Sequence, residues 1–149
     1  MGCDIHCFVE KRSKTGKWEK ITGFVSDFYD PESDYFNKEE YKNADSPLDE
    51  RSYVEFSILA GVRNRWDIVP ISEPKGFPSD VCSDIKREID NWDPDGHNHS
   101  YLTAKEISDY VSDDRQYAKW LFGSCLNQLM DRSETGVGDD VRIVFWFDN

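Results

Sequence analysis

The chain has 149 residues, 38% of them hydrophobic and 14% aromatic, and a net charge of −12 from 30 acidic and 18 basic side chains. That length suits one domain with its own core. The acidic balance repels phosphate backbones and argues against direct DNA or RNA binding. No apolar run reaches the length of a membrane span.

Residues 2–11 read as a strand, with Cys3, Ile5, Cys7 and Val9 on one face and Asp4, His6, Phe8 and Glu10 on the other. A turn at 14–17 and a second strand from Trp18 to Thr22 complete a hairpin. Gly2 and Cys3 occupy the positions of an acylation signal, but that signal wants Ser or Thr where His6 stands, and no secretory leader is read. Residues 23–51 form an acidic, aromatic stretch rich in turn formers. It is too long for an ordinary connector and is expected to be a flap or insertion in a single domain spanning 1–149.

Ser52 with Glu55 makes a capping-box pattern, so a helix is expected to run to a stop at Gly61. Pro and Gly mark a loop near 70–80, and Asp80 to Trp92 reads as a helix with Val81, Ile85 and Ile89 on one stripe. The segment DPDGHNHS reads as a loop. Thr103 with Glu106 starts another helix, and Asp113 with Gln116 a further one. That last helix is expected to reach about Arg132, with Tyr117, Leu121, Cys125 and Leu129 in one row. The terminal VRIVFWF is apolar on both faces except at Arg142, as a central strand covered by helices would be. The expected architecture is α+β: a small, mainly antiparallel sheet that includes both chain ends, with about four helices packed on it.

All three histidines lie in two short polar motifs, CDIH and DPDGHNHS. On a strand, residues two apart share a face, so Asp4 with His6 and His97 with His99 could each hold one side of an ion. Together these four residues form a nitrogen and oxygen donor set suited to zinc, manganese or iron, with Asp95 as a further ligand or orienting acceptor and Asp93 beside it. The bland alternatives are a hydrogen-bonded core histidine at 6 and turn chemistry at Asp95-Gly96. A second candidate is AGVRNRWD. Arg63 and Arg65 would stabilise charge on a phosphate, Asn64 would assist, and Trp66 would stack a base. The alternative there is that the arginines neutralise a helix end.

The four cysteines form no CxxC pair and are read as reduced thiols, in keeping with a cytoplasmic protein. MGCDIH, FSILAGVRNR, DGHNHSYLT and VRIVFWFDN together resemble a family of small bacteriophage and prophage proteins. The resemblance covers most of the chain outside 23–51. It implies a phage origin and a place in the bacterial host cytoplasm. DIH and GHNH are also similar to fragments of the calcineurin-like metallophosphoesterases, although the Gly-Asp-x-x-Asp and Gly-Asn-His-Glu elements of that fold are missing.

The leading expectation is therefore a metal-dependent phosphoester hydrolase acting on a small anionic ligand such as a nucleotide, in a counter-defence role. The alternatives are a nucleotide-binding sponge without chemistry, and an acidic inhibitor or DNA mimic directed at a host defence protein.

Overall fold

A computed structural model describes residues 2–48, 51–113 and 116–149. Among them, four strands form one antiparallel sheet. These are β1 (Asp4–Arg12), β2 (Trp18–Ile21), β3 (His97–Thr103) and β4 (Val141–Asp148), in the order β2-β1-β4-β3. Five helices accompany it: α1 (Glu39–Lys42), α2 (Tyr53–Ala60), α3 (Ser83–Asn91), α4 (Ala104–Ser112) and α5 (Gln116–Asp131). The two chain ends lie side by side in the sheet, as the terminal apolar patterns predict. No helix of the described residues is long and apolar enough to cross a membrane.

Register explains why β4 is apolar on both faces. Ile5, Cys7 and Val9 of β1 lie opposite Phe147, Phe145 and Ile143, and this face joins Phe56, Ile58 and Leu59 of α2, Ile107 of α4 and Phe122 of α5 in the main core. His6 and Phe8 lie opposite Trp146 and Val144. On that second face Val144 and Trp146 pack against Ile85 and Ile89 of α3. Burial of apolar surface from both sides is the main stabilising term for the central strand.

The helix ends follow the sequence signals. Ser52 accepts the amide of Glu55, and Gly61 closes α2 in left-handed backbone at φ 71°. Thr103 and Glu106 complete a reciprocal capping box on α4. The expected helix start between Asp113 and Gln116, and the side chain of Tyr117, lie outside the described residues. Ala118, Phe122, Cys125 and Leu129 of α5 face the core.

One element differs from the sequence reading. HNHSYLT is a strand, not a loop. Its polar side chains carry no strand pattern of their own, and its order comes from pairing along β4. Residues 23–48 contain the single turn α1 and an isolated bridge between Phe24 and Ala44. Phe28, Phe36 and Tyr41 pack on one another there, with centroids 5.7–5.9 Å apart. These ring contacts give the acidic segment an apolar centre of its own.

Gly138 shows how tightly α4, α5 and the approach to β4 fit. Its φ is +84°, and an added Cβ would lie 2.7 Å from Met130 Sδ and 3.0 Å from Ala104 Cβ and the Lys105 backbone nitrogen. Gly136 has a similar φ of +80° with nothing within 4 Å. Gly138→Ala is expected to destabilise the fold by about 2–4 kcal/mol, and Gly136→Ala by only about 1 kcal/mol, the cost of left-handed backbone alone. Thermal unfolding of the two variants measures the difference, and equal losses would refute the packing argument.

Candidate functional site

The antiparallel registers bring the start of β1, the end of β4 and the start of β3 to one end of the sheet. Asp4 lies opposite Asp148, His6 opposite Trp146 and His97 opposite Phe147. Two carboxylates directly across a strand pair repel each other, and each has taken a partner from elsewhere in the chain. Arg51 donates from Nε to Asp4 Oδ1 at 2.8 Å, and His6 Nε2 pairs with Asp148 Oδ2. The Arg51 hydrogen bond holds the Asp4 carboxyl below the usual carboxylate range, against the opposing effect of burial. The guanidinium of Arg51 also lies against Gly2, where an added Cβ would require it to move aside.

His6 is held from three sides. Asp148 takes one ring nitrogen, Trp92 at the end of α3 lies against the imidazole with centroids 4.0 Å apart, and Trp146 lies 5.7 Å away. A carboxylate on one ring nitrogen fixes the orientation of the ring, as in catalytic histidine pairs.

The HNH segment does not keep strand alternation. Asn98 has φ 54°, and a register shift falls between His97 and Ser100. The extra residue is a β-bulge. It leaves His97 beside Phe147, with centroids 6.4 Å apart, and His99 beside Trp146 at 5.9 Å. Phe147 and Trp146 belong to opposite faces of β4, so the two imidazoles part. Burial pushes the His99 imidazole down, and neighbouring His97 adds to the effect. His97 Nδ1 lies 2.6 Å from Asn98 Oδ1. His97 Nε2 and the Trp146 indole nitrogen are buried without a hydrogen-bond partner among the described residues.

The arginine loop reaches the same end. Arg63, at φ 55°, donates to Asn149 Oδ1 at 3.3 Å, and its guanidinium carbon is 5.5 Å from the Tyr53 ring centre. It also lies close to the Cys3 thiol. Burial raises that thiol, and the arginine acts against the rise. Two of the three non-glycine residues with positive φ among the described residues, Arg63 and Asn98, therefore flank this end of the sheet. Backbone in this region is strained for such residues, and strain of this kind gathers at functional sites.

Asn64 has a local role. Its side chain clasps the backbone of Ile68 through its oxygen at 3.0 Å and its amide at 2.7 Å. Arg65 and Trp66 are exposed, as are Asp93 and Asp95.

A cleft of about 460 Å³ opens beside His6, between Ile5–Phe8 and residues 40–46. The arginines do not line it.

The four expected metal ligands thus share one end of the sheet without converging. Among the described residues, no group of three His, Cys, Asp or Glu side chains is placed to hold an ion. Asp4 and His6 are committed to Arg51 and Asp148, and the bulge parts His97 from His99. As arranged, these donors do not fit a resident metal. The sequence reading missed Asp148 and Arg51. The signal for Asp148 was a carboxylate ending an otherwise apolar strand that pairs with a strand bearing Asp and His. Comparison with family models, curated proteins and solved structures gives no match to this chain.

Proposed function

We propose that this end of the sheet binds a small phosphorylated ligand, a nucleotide. The observation that supports the reading is the arrival of Arg51 and Arg63, remote in sequence from both chain ends, beside Asp4, His6, Asp148 and Asn149. Asp4 takes only Nε of Arg51, so among the described residues the remaining guanidinium donors are open to phosphate oxygens. Trp66, half exposed three residues after Arg63, offers a flat face to a base. Removal of a host signalling nucleotide by a phage-encoded protein would accord with this chemistry.

Hydrolysis is a second reading, favoured by the His6–Asp148 pair. Asp148 would orient the imidazole and His6 would take a proton from the attacking water.

One experiment separates the two. The purified protein is incubated with a panel of mono-, di- and cyclic nucleotides, then denatured, and the released molecules are weighed. Intact ligand supports capture, and cleaved ligand lost in His6→Ala supports hydrolysis. Elemental mass spectrometry of the same samples tests the metal-dependent form of hydrolysis, which requires stoichiometric zinc, manganese or iron lost in His6→Ala. Neither binding nor cleavage across the panel would defeat both readings.

A further inference from the structure

The cleft beside His6 has a chemistry of its own, and it bears on which nucleotide the sheet end would take. One of its walls is the edge of β1. Ser13 donates its amide to Lys17 on the β2 side at 2.8 Å, and Arg12 donates to Asp140 on the β4 side at 2.9 Å. Alternate residues of an antiparallel strand turn their main-chain groups to opposite neighbours. Odd-numbered residues of β1 therefore face away from β4.

At the head of that row the amide of Cys3 donates to Tyr53 Oη at 3.1 Å. From Val9 onward the row is covered by β2, which begins its departure after Ile21. Arg132 Nη2 holds the departing chain by donating to the carbonyls of Thr22 at 2.8 Å and Gly23 at 3.2 Å. Ile5 lies between these two anchored points. Among the described residues its outward N–H and C=O meet no hydrogen-bond partner.

Ile5 lines the cleft of about 460 Å³, a size within the range of small-ligand sites, about 300–1,000 Å³. Phe8 and Tyr41 are its aromatic residues, and Glu40 stands on the wall across from β1. Asp45 faces Lys20 at 3.4 Å, whereas Glu40 meets no cation among the described residues. Gly2, against which the Arg51 guanidinium lies, is three residues from Ile5, about 10 Å of extended chain. A nucleoside monophosphate covers that distance, with its phosphate at the arginines and its base in the cleft.

We infer that the base read in this cleft is guanine. The assignment rests on the nucleotide reading of the arginine end and names the base that reading leaves open. One strand residue is enough, because it presents one donor and one acceptor side by side. The Ile5 N–H donates to guanine O6, and the Ile5 C=O accepts from guanine N1–H. Glu40 accepts from the 2-amino group beside them, as an ionised acceptor suits a base edge rich in donors. Adenine would turn a C–H toward that carboxylate, and uracil or cytosine a carbonyl oxygen that it repels. Reading of an unpaired base along this edge is the usual source of selectivity for a single nucleotide. The exposed ring of Trp66 would take any base alike, so selection falls to the cleft.

The probes are guanosine monophosphate (GMP), inosine monophosphate (IMP), 1-methyl-GMP, guanosine and ribose 5-phosphate. Binding is read by isothermal titration and by hydrogen exchange at the Ile5 amide. GMP is expected to bind about tenfold more tightly than IMP, which lacks only the 2-amino group. Glu40→Ala, its fold checked by thermal unfolding, is expected to bring GMP to the level of IMP. 1-Methyl-GMP cannot donate to the Ile5 C=O and is expected to bind no better than ribose 5-phosphate. GMP and guanosine are expected to slow exchange at Ile5, and ribose 5-phosphate to leave it unchanged. The proposal is overturned if the Ile5 amide is fully protected in the free protein, or if GMP leaves its exchange unchanged. It is also overturned if the unsubstituted protein binds GMP and IMP alike. The phosphate reading of the arginine end fails on a different result: ribose 5-phosphate does not bind, and GMP binds no better than guanosine.

Discussion

Arg142→Ala is expected to cost about 3–5 kcal/mol of folding free energy, the usual penalty for removing one member of a buried ion pair. Arg142 is 5% exposed and Glu10 is fully buried. The guanidinium donates from Nε to Glu10 Oε1 at 2.7 Å and from Nη2 to Asp80 Oδ1 at 2.9 Å. Its carbon lies 3.9 Å from the Trp18 ring centre. The other oxygen of Glu10 accepts the backbone amide of Cys82, the residue that caps α3, at 2.7 Å. Without Arg142 the carboxylate would stay buried on that one amide, and desolvation would dominate. Asp80 matters less, because its side chain is 59% exposed.

Urea unfolding measures the loss as a lower midpoint. Replacing both partners, Glu10→Met with Arg142→Met, is expected to cost much less than Arg142→Ala, because no charge is then stranded. A single-variant loss below about 1 kcal/mol would contradict this account. The network also has a bearing on the site. Through Glu10 it ties the start of α3 to the sheet, and the end of α3 carries Trp92 against His6.

The frame of this fold is legible in the sequence because its signals are local. The alternation of Cys3, Ile5, Cys7 and Val9, the two-faced apolar run of β4 and the N-caps at Ser52 and Thr103 each act within a few residues. β3 is not legible, because His97 to Thr103 owe their extended state to β4, about 45 residues away. The same limit applies to the site. Pairing His97 with His99 assumes regular strand geometry, and the left-handed backbone at Asn98 breaks it. Asp4 and His6 do share a face, yet their partners are 47 and 142 residues distant. Arg63 was legible as a candidate anion ligand, but nothing local to AGVRNRWD places it beside Asn149.

Arg63→Ala is expected to weaken nucleotide binding about 10–100-fold, the loss of one charge-assisted contact worth about 1.5–3 kcal/mol. The side chain is already positioned, by Asn149 at its tip and Tyr53 along its face. Little ordering entropy is then left to lose when a phosphate arrives. Arg63→Lys is expected to recover only part of the affinity, since an ammonium offers a point charge where a guanidinium offers two parallel donors. The backbone at this position provides a check on the structural alternative. At φ 55°, Arg63→Gly relieves strain but removes the guanidinium. Arg63→Gly should therefore fall with Arg63→Ala in affinity while keeping more of the parent stability. Isothermal titration and thermal unfolding of the three variants, with the surface variant Arg87→Ala as a reference, separate the effects. If affinity tracked unfolding temperature across the series, Arg63 would be a brace for the chain end and the anion-binding reading would lose its main support.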